Sequence, residues 1–353
     1  MDFILGSLLA KMVKAKDFKS APRLEHLQSI LVIRPGGIGD AVFLLPLLKR
    51  LKENYPSLVV DILCERRNQQ IFISQKSLFR EIFIYDRWAS FRGVWKHRYD
   101  VIIDTEQWHY LSALAAYFLK SSFTVGFNTR PLRKKLFNQP VSYGLNAYEL
   151  ENFKALFKFI LGECKDIEDI NLCYTVSEES IRWAQEKIPQ NTVSLFIGAS
   201  ITPRRFTNAQ ALEIIRFLFT KGVSVALLGG KDVLAPAQEI ERQIKDERLI
   251  SFVGKINLEQ TAALIKQSKQ FIGTDSGIMH LACVVGTPVI AVFGPGNLAK
   301  WHPKGDSHAV VTENVACSPC TRFGYTVPTC GGSYHCMRGI EIEKIDGRLQ
   351  NYL

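Results

Sequence analysis

Residues 273–294 constrain the fold more than any other part of the chain. An apolar run ending at Ile272 predicts a buried strand, and residues 273–277 predict a turn. Residues 278–285 keep an apolar helical face that ends at a Gly-Thr-Pro sequence, and a second apolar strand is predicted over 289–293. Strand, turn, helix and strand in this order form the repeating unit of a parallel α/β sheet. We therefore expect an α/β fold.

The turn in this unit predicts an anion-binding site. Asp275, Ser276 and Gly277 lie at the expected helix N-terminus, where free backbone amides meet the positive end of the helix dipole. A diphosphate is a suitable ligand for such a turn. The alternative is an ordinary helix start in an α/β core, in which Asp275 or Ser276 only caps the helix.

Length and patterning predict two domains. A chain of 353 residues exceeds one ordinary hydrophobic core. Strands and helices alternate twice, starting from strands at 29–33 and 193–197, so we predict two Rossmann-like, doubly wound parallel sheets facing across a cleft. The predicted parts are an amphipathic segment 1–27, a first domain 28–175, a second domain 176–338, and a C-terminal helix over 339–353 that packs back on the first domain.

Within these domains the patterning predicts the individual elements. Helices are predicted over 41–55, 112–119, 146–161, 176–188, 208–219, 233–244 and 258–266. Further strands are predicted over 58–63, 81–85, 99–104, 123–127, 223–228 and 249–252. No run of 18 apolar residues predicts a membrane-spanning helix.

The charge balance indicates an anionic partner. Lys and Arg number 44 against 34 Asp and Glu, a net charge of +10, which suits phosphorylated substrates or an anionic membrane surface. No nucleic-acid-binding motif accompanies it, so nucleic acid is not predicted. Residues 3–13 form an apolar helical face followed by lysines, the reverse of a secretory signal. We predict a cytoplasmic protein whose first helix either lies on the membrane surface or packs on its own domain.

A late cysteine group has two interpretations. Cys317 and Cys320 form one Cys-x-x-Cys pair, and Cys330 and Cys336 follow singly. Ordinary reduced thiols and a structural metal site both fit this spacing. Disulfides are not expected without an export signal.

The first Gly-rich turn, residues 34–40, follows the first strand, and ligands of open α/β sheets bind at strand carboxyl ends. Gly37 and Gly39 allow a ligand to approach the backbone. The turn is neither a dinucleotide fingerprint nor a P-loop, which argues against an NAD enzyme. Asp40 begins the following helix, either as a general base for a hydroxyl nucleophile or as a favourable charge at a helix start.

Two further turns offer ligands in the second domain. The turn at 198–205 supplies hydroxyls from Ser200 and Thr202 and guanidinium groups from Arg204 and Arg205, which suit phosphate, although a solvated basic loop fits as well. Gly230 ends a Gly-Gly pair that either admits a ribose or base or only makes a tight turn.

Several of these segments together resemble the heptosyltransferases of glycosyltransferase family 9, over about residues 28–345. The segments are residues 30–48, Gly198-Ala-Ser with Arg204-Arg205, Leu227-Leu-Gly-Gly230, residues 273–282, Gly286-Thr-Pro and Phe293-Gly-Pro295. The resemblance implies a GT-B fold. It also implies an inverting transfer of heptose from ADP-heptose to a lipid-linked sugar of the lipopolysaccharide core, without a metal or other cofactor.

The resemblance also assigns roles to single residues. Asp40 matches the general base, and Asp275, Ser276, Gly277 and His280 match the donor-nucleotide motif, whose amides hold the diphosphate. Arg204 falls where the family usually has a lysine. The segment 317–336 resembles a cysteine-containing loop of many members.

The acceptor is expected at the first domain. Asp104, Glu106, Gln107 and His109 follow a strand and are candidates for its hydroxyls. Candidates for its phosphates are the basic residues Arg66, Arg67, Arg130, Arg133, Lys134 and Lys135. Two alternatives remain open from the residues: a different nucleotide sugar used on another glycan, and a non-catalytic nucleotide-sugar-binding protein at the membrane.

Overall fold

The computed structural model describes residues 2–322, 325–326 and 330–349. The chain divides into two compact units, residues 1–168 and 169–353. Each unit is built on a six-stranded parallel sheet, so the predicted pair of parallel α/β sheets is confirmed.

The first unit has the strand order β3-β2-β1-β4-β5-β6. Its strands are β1 (Ser29–Arg34), β2 (Val59–Cys64), β3 (Ile82–Ile84), β4 (Tyr99–Asp104), β5 (Ser121–Phe127) and β6 (Gln139–Val141). Its helices are α1 (Ser7–Met12), α2 (Ile38–Asn54), α3 (Gln69–Ile73), α4 (Trp88–Val94), α5 (Tyr110–Phe118), α6 (Pro131–Lys134) and α7 (Glu149–Leu161). The central strands are buried on both faces, as their continuous apolar runs predict.

The second unit repeats this arrangement with the order β12-β11-β10-β7-β8-β9. Its strands are β7 (Thr192–Phe196), β8 (Ser224–Leu228), β9 (Leu249–Ser251), β10 (Gln270–Thr274), β11 (Val289–Phe293) and β12 (His308–Thr312), followed by a small hairpin of β13 (Thr321–Arg322) and β14 (Tyr325–Thr326). Its helices are α8 (Glu178–Lys187), α9 (Asn208–Thr220), α10 (Leu234–Gln243), α11 (Leu258–Gln267), α12 (Gly277–Val284), α13 (Leu298–Trp301), α14 (His335–Arg338) and α15 (Ile342–Leu349).

Both sheets reverse their strand order at one point. In the first unit the reversal lies between β1 and β4, and in the second between β7 and β10. Loops that leave neighbouring strands diverge at such a point, so ligand-binding residues gather there. The turns at 34–40, 198–205 and 273–277 each follow one of these strands.

The C-terminal helix differs from its prediction. Helix α15 contacts α9, β11 and β12, and its Ile345 and Leu349 are buried in the core of the second unit. The prediction that it packs on the first domain is therefore wrong for residues 342–349, and residues 350–353 lie outside the described residues. An amphipathic stripe predicts that a helix buries one face, but not which core receives it.

The N-terminal segment belongs to the first unit. Ala10 of α1 is fully buried in one core cluster with Tyr110 and Ala113 of α5. Lys135 donates to the carbonyl of Val13 at 2.8 Å, and the Lys16 amide donates to the carbonyl of Lys135 at 2.8 Å. The segment therefore packs on its own domain, as one of the two interpretations predicts.

Candidate active site

Asp40 lies in the first turn of α2, directly after β1. Helix α2 begins three residues earlier than predicted, with Gly37 as its N-cap. Gly36 has φ +111°, and a methyl group there would lie 2.9 Å from Nη2 of Arg34. Glycine is needed at this position because the arginine lies directly beneath the loop. The Asp40 side chain keeps 21% of its surface exposed, so solvent reaches this carboxylate.

Arg34 is the buried cation of this site, at 1% exposure. Its Nη2 lies 3.0 Å from Glu106 and 3.8 Å from Oδ2 of Asp40. Burial acts to lower the pKa of Arg34, but the surrounding carboxylates, Asp40 foremost, raise it above its usual value. Arg34 therefore stays charged in the interior.

Gln107, a residue predicted to contact the acceptor, lies beside Asp40. Its Nε2 is 3.3 Å from Oδ1 of Asp40 and 2.7 Å from Oε1 of Glu149. Glu149 is fully buried and also accepts from the hydroxyl of Tyr143 at 2.8 Å. Neither Glu149 nor Tyr143 carries a local sequence signal, because both reach the site through chain segments distant from residue 40.

Asp104 and Arg133 have a different role from the predicted one. Both side chains are fully buried and form an ion pair at 2.9 Å. Arg133 also donates to the carbonyls of Glu106 and His109, and Asp104 accepts from the Ser112 hydroxyl. The predictions that Asp104 contacts the acceptor and that Arg133 binds its phosphates are therefore wrong, because neither reaches solvent.

Other basic candidates remain near the strand ends. The Arg130 guanidinium lies 3.6 Å from the ring centroid of Trp108, a stacking contact that fixes its orientation. Arg66 and Arg67 follow β2, are exposed, and pair with Asp86 and Glu65 respectively. Glu106 does not face solvent: burial acts to raise its pKa, but His109 and Arg34 hold the pKa of Glu106 at about 2.

The turn predicted to bind an anion lies at the N-terminus of α12 in the second unit. Ser276 is the N-cap, and its hydroxyl accepts from the Met279 amide at 3.4 Å. Arg204 lies beside it, with Nη1 3.1 Å from Oδ2 of Asp275. Arg204 and Asp275 are 8% and 4% exposed, so the pair is nearly withdrawn from water. The capping and anion-site interpretations are thus compatible at this turn.

Arg204 has unused hydrogen-bonding capacity. Its buried Nε–H finds no acceptor among the described residues. Burial raises the pKa of Asp275, an effect that the charge of Arg204 opposes. Burial, and secondarily the charge of Arg204, lower the pKa of His280 to about 3, so this imidazole is neutral at physiological pH. A buried donor without a partner beside a helix N-terminus is suited to an anionic ligand.

The other residues predicted to bind the nucleotide-sugar donor have different surroundings. Arg205 pairs with Asp232 and donates to the carbonyl of Ala199, so its charge is partly neutralised. Ser200 and Thr202 are exposed beside Arg204, at the start of a 3₁₀ turn at Thr202–Arg204. Gly229 and Gly230 follow the end of β8, and a second 3₁₀ turn begins directly after them at Lys231–Val233.

The four late cysteines are free thiols that lie within electrostatic reach of one another. Burial, reinforced by the thiols of Cys317, Cys320 and Cys330, raises the pKa of Cys336. The described residues contain no group of three or more His, Cys, Asp or Glu side chains placed to hold a metal ion. Residues 323–324 and 327–329 of this loop lie outside the described part.

Comparison with known proteins identifies the family of this chain. Lipopolysaccharide heptosyltransferase 3 of Escherichia coli is 25% identical over 75% of this chain and 83% of its own length. The structure of E. coli ADP-heptose lps heptosyltransferase II superposes with a TM-score of 0.71 at 20% identity, covering 92% of this chain and 99% of that one. The iron-containing dodecameric glycosyltransferase TibC of enterotoxigenic E. coli H10407 gives a TM-score of 0.58 at 16% identity, covering 96% and 77%.

The family model for glycosyltransferase family 9 (heptosyltransferase) matches residues 87–328, more than half of the chain. The resemblance read from the motifs and the expected GT-B fold are therefore confirmed. The chain belongs to glycosyltransferase family 9 and is a glycosyltransferase.

Proposed function

We propose that this enzyme transfers heptose from ADP-heptose to the lipopolysaccharide core with inversion at the anomeric carbon and without a metal ion. The relatives named for lipopolysaccharide and ADP-heptose support this donor and acceptor. The observation that carries the proposal is the buried Arg204 Nε–H, which finds no acceptor among the described residues, beside the N-terminus of α12.

The donor end of the reaction needs positive charge. When the bond from the sugar to ADP breaks, the β-phosphate becomes more negative. The backbone amides at the N-terminus of α12 and the Arg204 guanidinium supply donors in a site nearly withdrawn from water, where each interaction is strong. Asp275 fixes the guanidinium in place through the 3.1 Å ion pair.

The acceptor end needs a proton acceptor. Asp40 is a carboxylate at a strand end, exposed enough to meet a sugar hydroxyl and oriented by buried partners. It takes the proton of the attacking hydroxyl as the new glycosidic bond forms and the bond to ADP breaks. A positioned base of this kind contributes about 10²–10⁴-fold to the rate.

A transfer assay tests this assignment. The purified enzyme is incubated with ADP-, GDP- or UDP-sugars and delipidated core oligosaccharide, and products are identified by mass. We expect a heptose adduct from ADP-heptose that persists in EDTA. Transfer only from another nucleotide sugar would support the alternative donor, and binding without any turnover would support the non-catalytic alternative.

The Asp40→Asn variant tests the base. We expect loss of transfer by at least 100-fold with unchanged ADP-heptose affinity, because the donor phosphates contact other residues. Asp86→Asn is the matched control, since this carboxylate is exposed and belongs to the same unit. Undiminished turnover in Asp40→Asn would remove Asp40 from the mechanism.

We also propose that α1 attaches the enzyme to an anionic membrane surface, where a lipid-linked acceptor resides. With Ala10 buried against α5, the side chains of Ile4, Leu8 and Met12 stay 73%, 52% and 82% exposed. Lys11 and other lysines follow this apolar face, a pattern that favours the interface of anionic lipid. No helix in the described part of the chain combines the length and apolar character needed to cross a membrane.

Vesicle sedimentation tests this attachment. The wild-type enzyme is expected to co-sediment with phosphatidylglycerol vesicles and to remain in solution with phosphatidylcholine alone. Leu8→Asp with Met12→Asp should abolish sedimentation while transfer to delipidated acceptor is retained. Leu145→Asp, at an exposed apolar side chain elsewhere in the unit, is the control. Equal sedimentation of all three proteins would refute the proposal.

A further inference from the structure

The surroundings of Asp40 contain an uncharged residue between two carboxylates. The amide of Gln107 donates to Oδ1 of Asp40 at 3.3 Å and to Oε1 of Glu149 at 2.7 Å. Its own oxygen accepts from Nη2 of Arg34 at 3.4 Å. All three contacts are made inside the protein, where Gln107 is 7% exposed.

Only one orientation of the Gln107 amide is compatible with these charges. A flipped amide would point its oxygen at two carboxylates and its NH₂ group at the N–H donors of Arg34. The backbone is fixed as well, because the Thr129 hydroxyl donates to the Gln107 carbonyl at 2.5 Å. Gln107 therefore presents an N–H to Asp40 in a fixed direction.

Glu149 is held in turn by its own donors. The Tyr143 hydroxyl lies 2.8 Å from Oε2, and Nδ2 of Asn152 lies 3.3 Å from the same oxygen. Burial, together with the Glu149 carboxylate, raises the pKa of Tyr143 above its usual value, so the hydroxyl remains a donor. A fully buried carboxylate with these partners is an anchor for the Gln107 amide.

We propose that Gln107 is a positioning residue for Asp40, and that Glu149 acts on the reaction through Gln107. Resting on the proposed role of Asp40 as the base, this inference explains why a fully buried carboxylate lies so near it. Gln107 restrains Oδ1, and Arg34 lies on the side of Oδ2 at 3.8 Å. The carboxylate is thereby kept in one rotamer, with its exposed edge available to the acceptor hydroxyl.

Charged and titratable groups near Asp40 come from several packed elements. They are Arg34 at the end of β1, Glu106 after β4, Tyr143 in the segment between β6 and α7, and Glu149 at the first position of α7. Two of these are anionic besides Asp40 itself, and one is cationic. Removing the charge of Glu149 is therefore expected to make Asp40 easier to ionise.

Two variants test these two effects. Gln107→Leu should lower kcat by about 10- to 100-fold, with KM for the donor unchanged, because the base loses its restraint. Glu149→Gln keeps an acceptor oxygen for Gln107 but removes one negative charge. The acidic limb of kcat/KM against pH should therefore move down by about half a unit to one unit relative to the wild type.

Controls separate this inference from folding and from the proposed base. Glu151→Gln removes the same charge from the solvent side of α7 and should leave the acidic limb in place. Thermal unfolding followed by circular dichroism checks each variant. If Asp40→Asn is inactive while Gln107→Leu and Glu149→Gln match the wild type, only the positioning role fails. If Asp40→Asn is active, the base assignment fails and this inference fails with it.

Discussion

The buried pair of Arg133 and Asp104 makes the sharpest stability prediction. Both side chains are fully buried at 2.9 Å, and Arg133 also donates to the carbonyls of Glu106, His109 and Phe127. Replacing Arg133 with Met keeps most of the stem but leaves a carboxylate and these carbonyls without their donor. Breaking one partner of a buried pair costs about 3–5 kcal/mol. With a urea dependence of about 2–3 kcal/mol per molar, the midpoint should fall by roughly 1–2.5 M.

The assay must report the first unit separately, because a chain of two units need not unfold in one step. Hydrogen exchange at increasing urea, read by mass on peptides from β4 and β5, does this. Lys134→Met is the control, since it removes the same charge at an exposed neighbouring residue. Arg133→Met with Asp104→Asn should recover part of the loss, because the uncompensated charge is gone.

The pH dependence adds a second criterion. Burial raises the pKa of Asp104, an effect that Arg133 opposes in the wild type. Without Arg133, the pKa of Asp104 in the folded state rises further. As the pH increases, Asp104 therefore releases its proton in the unfolded state before it does so in the folded state. The loss of unfolding free energy in Arg133→Met, relative to the wild type, should therefore grow from pH 5 to pH 8. A midpoint within 0.3 M of that of Lys134→Met, or a deficit that shrinks with pH, would refute the structural role of the pair.

Two further predictions concern the donor site. Gly296→Ala would place a methyl group 2.0 Å from Oδ2 of Asp275 and displace this carboxylate from Arg204. Calorimetry should then show ADP binding at least about tenfold more weakly. Gly347→Ala is the control, because its methyl group meets open space and should leave the affinity for ADP unchanged. Burial lowers the pKa of His280 to about 3, so on acidification this imidazole takes up its proton in the unfolded state first. The free energy of unfolding should therefore fall by about 1 kcal/mol per pH unit from pH 6 to 4. The His280→Asn variant should lack this contribution.

The sequence predicts the features of the donor turn because they are local. The bounds of β11 match the prediction, and α12 begins within one residue of it, since an apolar run, a serine N-cap and a Gly-Thr-Pro stop lie next to one another in the chain. The same local signals place Asp40 at the start of α2. The missed strands of the two six-stranded sheets are β6, an edge strand that contains Pro140, and β12, and the short hairpin of β13 and β14 was not predicted either.

The surroundings of the proposed base were not predictable in the same way. Arg133 and Lys134 are adjacent and both basic, yet one is fully buried and the other exposed. The difference arises from Asp104, which β4 brings to Arg133 from 29 residues away. Sequence alone identifies such residues as charges, and only the packed sheet decides which charge is paired inside.

The distribution of charge explains why an arginine is buried beneath the base at all. Asp40, Glu106 and Glu149 gather near one cation, Arg34, so this region keeps an excess of negative charge. Such an excess suits a reaction in which a proton is accepted and the sugar carbon becomes positive. Without Arg34, the same three carboxylates would repel one another in a poorly solvated interior, and some would take up protons. Arg34 thus offsets the repulsion among the carboxylates that surround the proposed base.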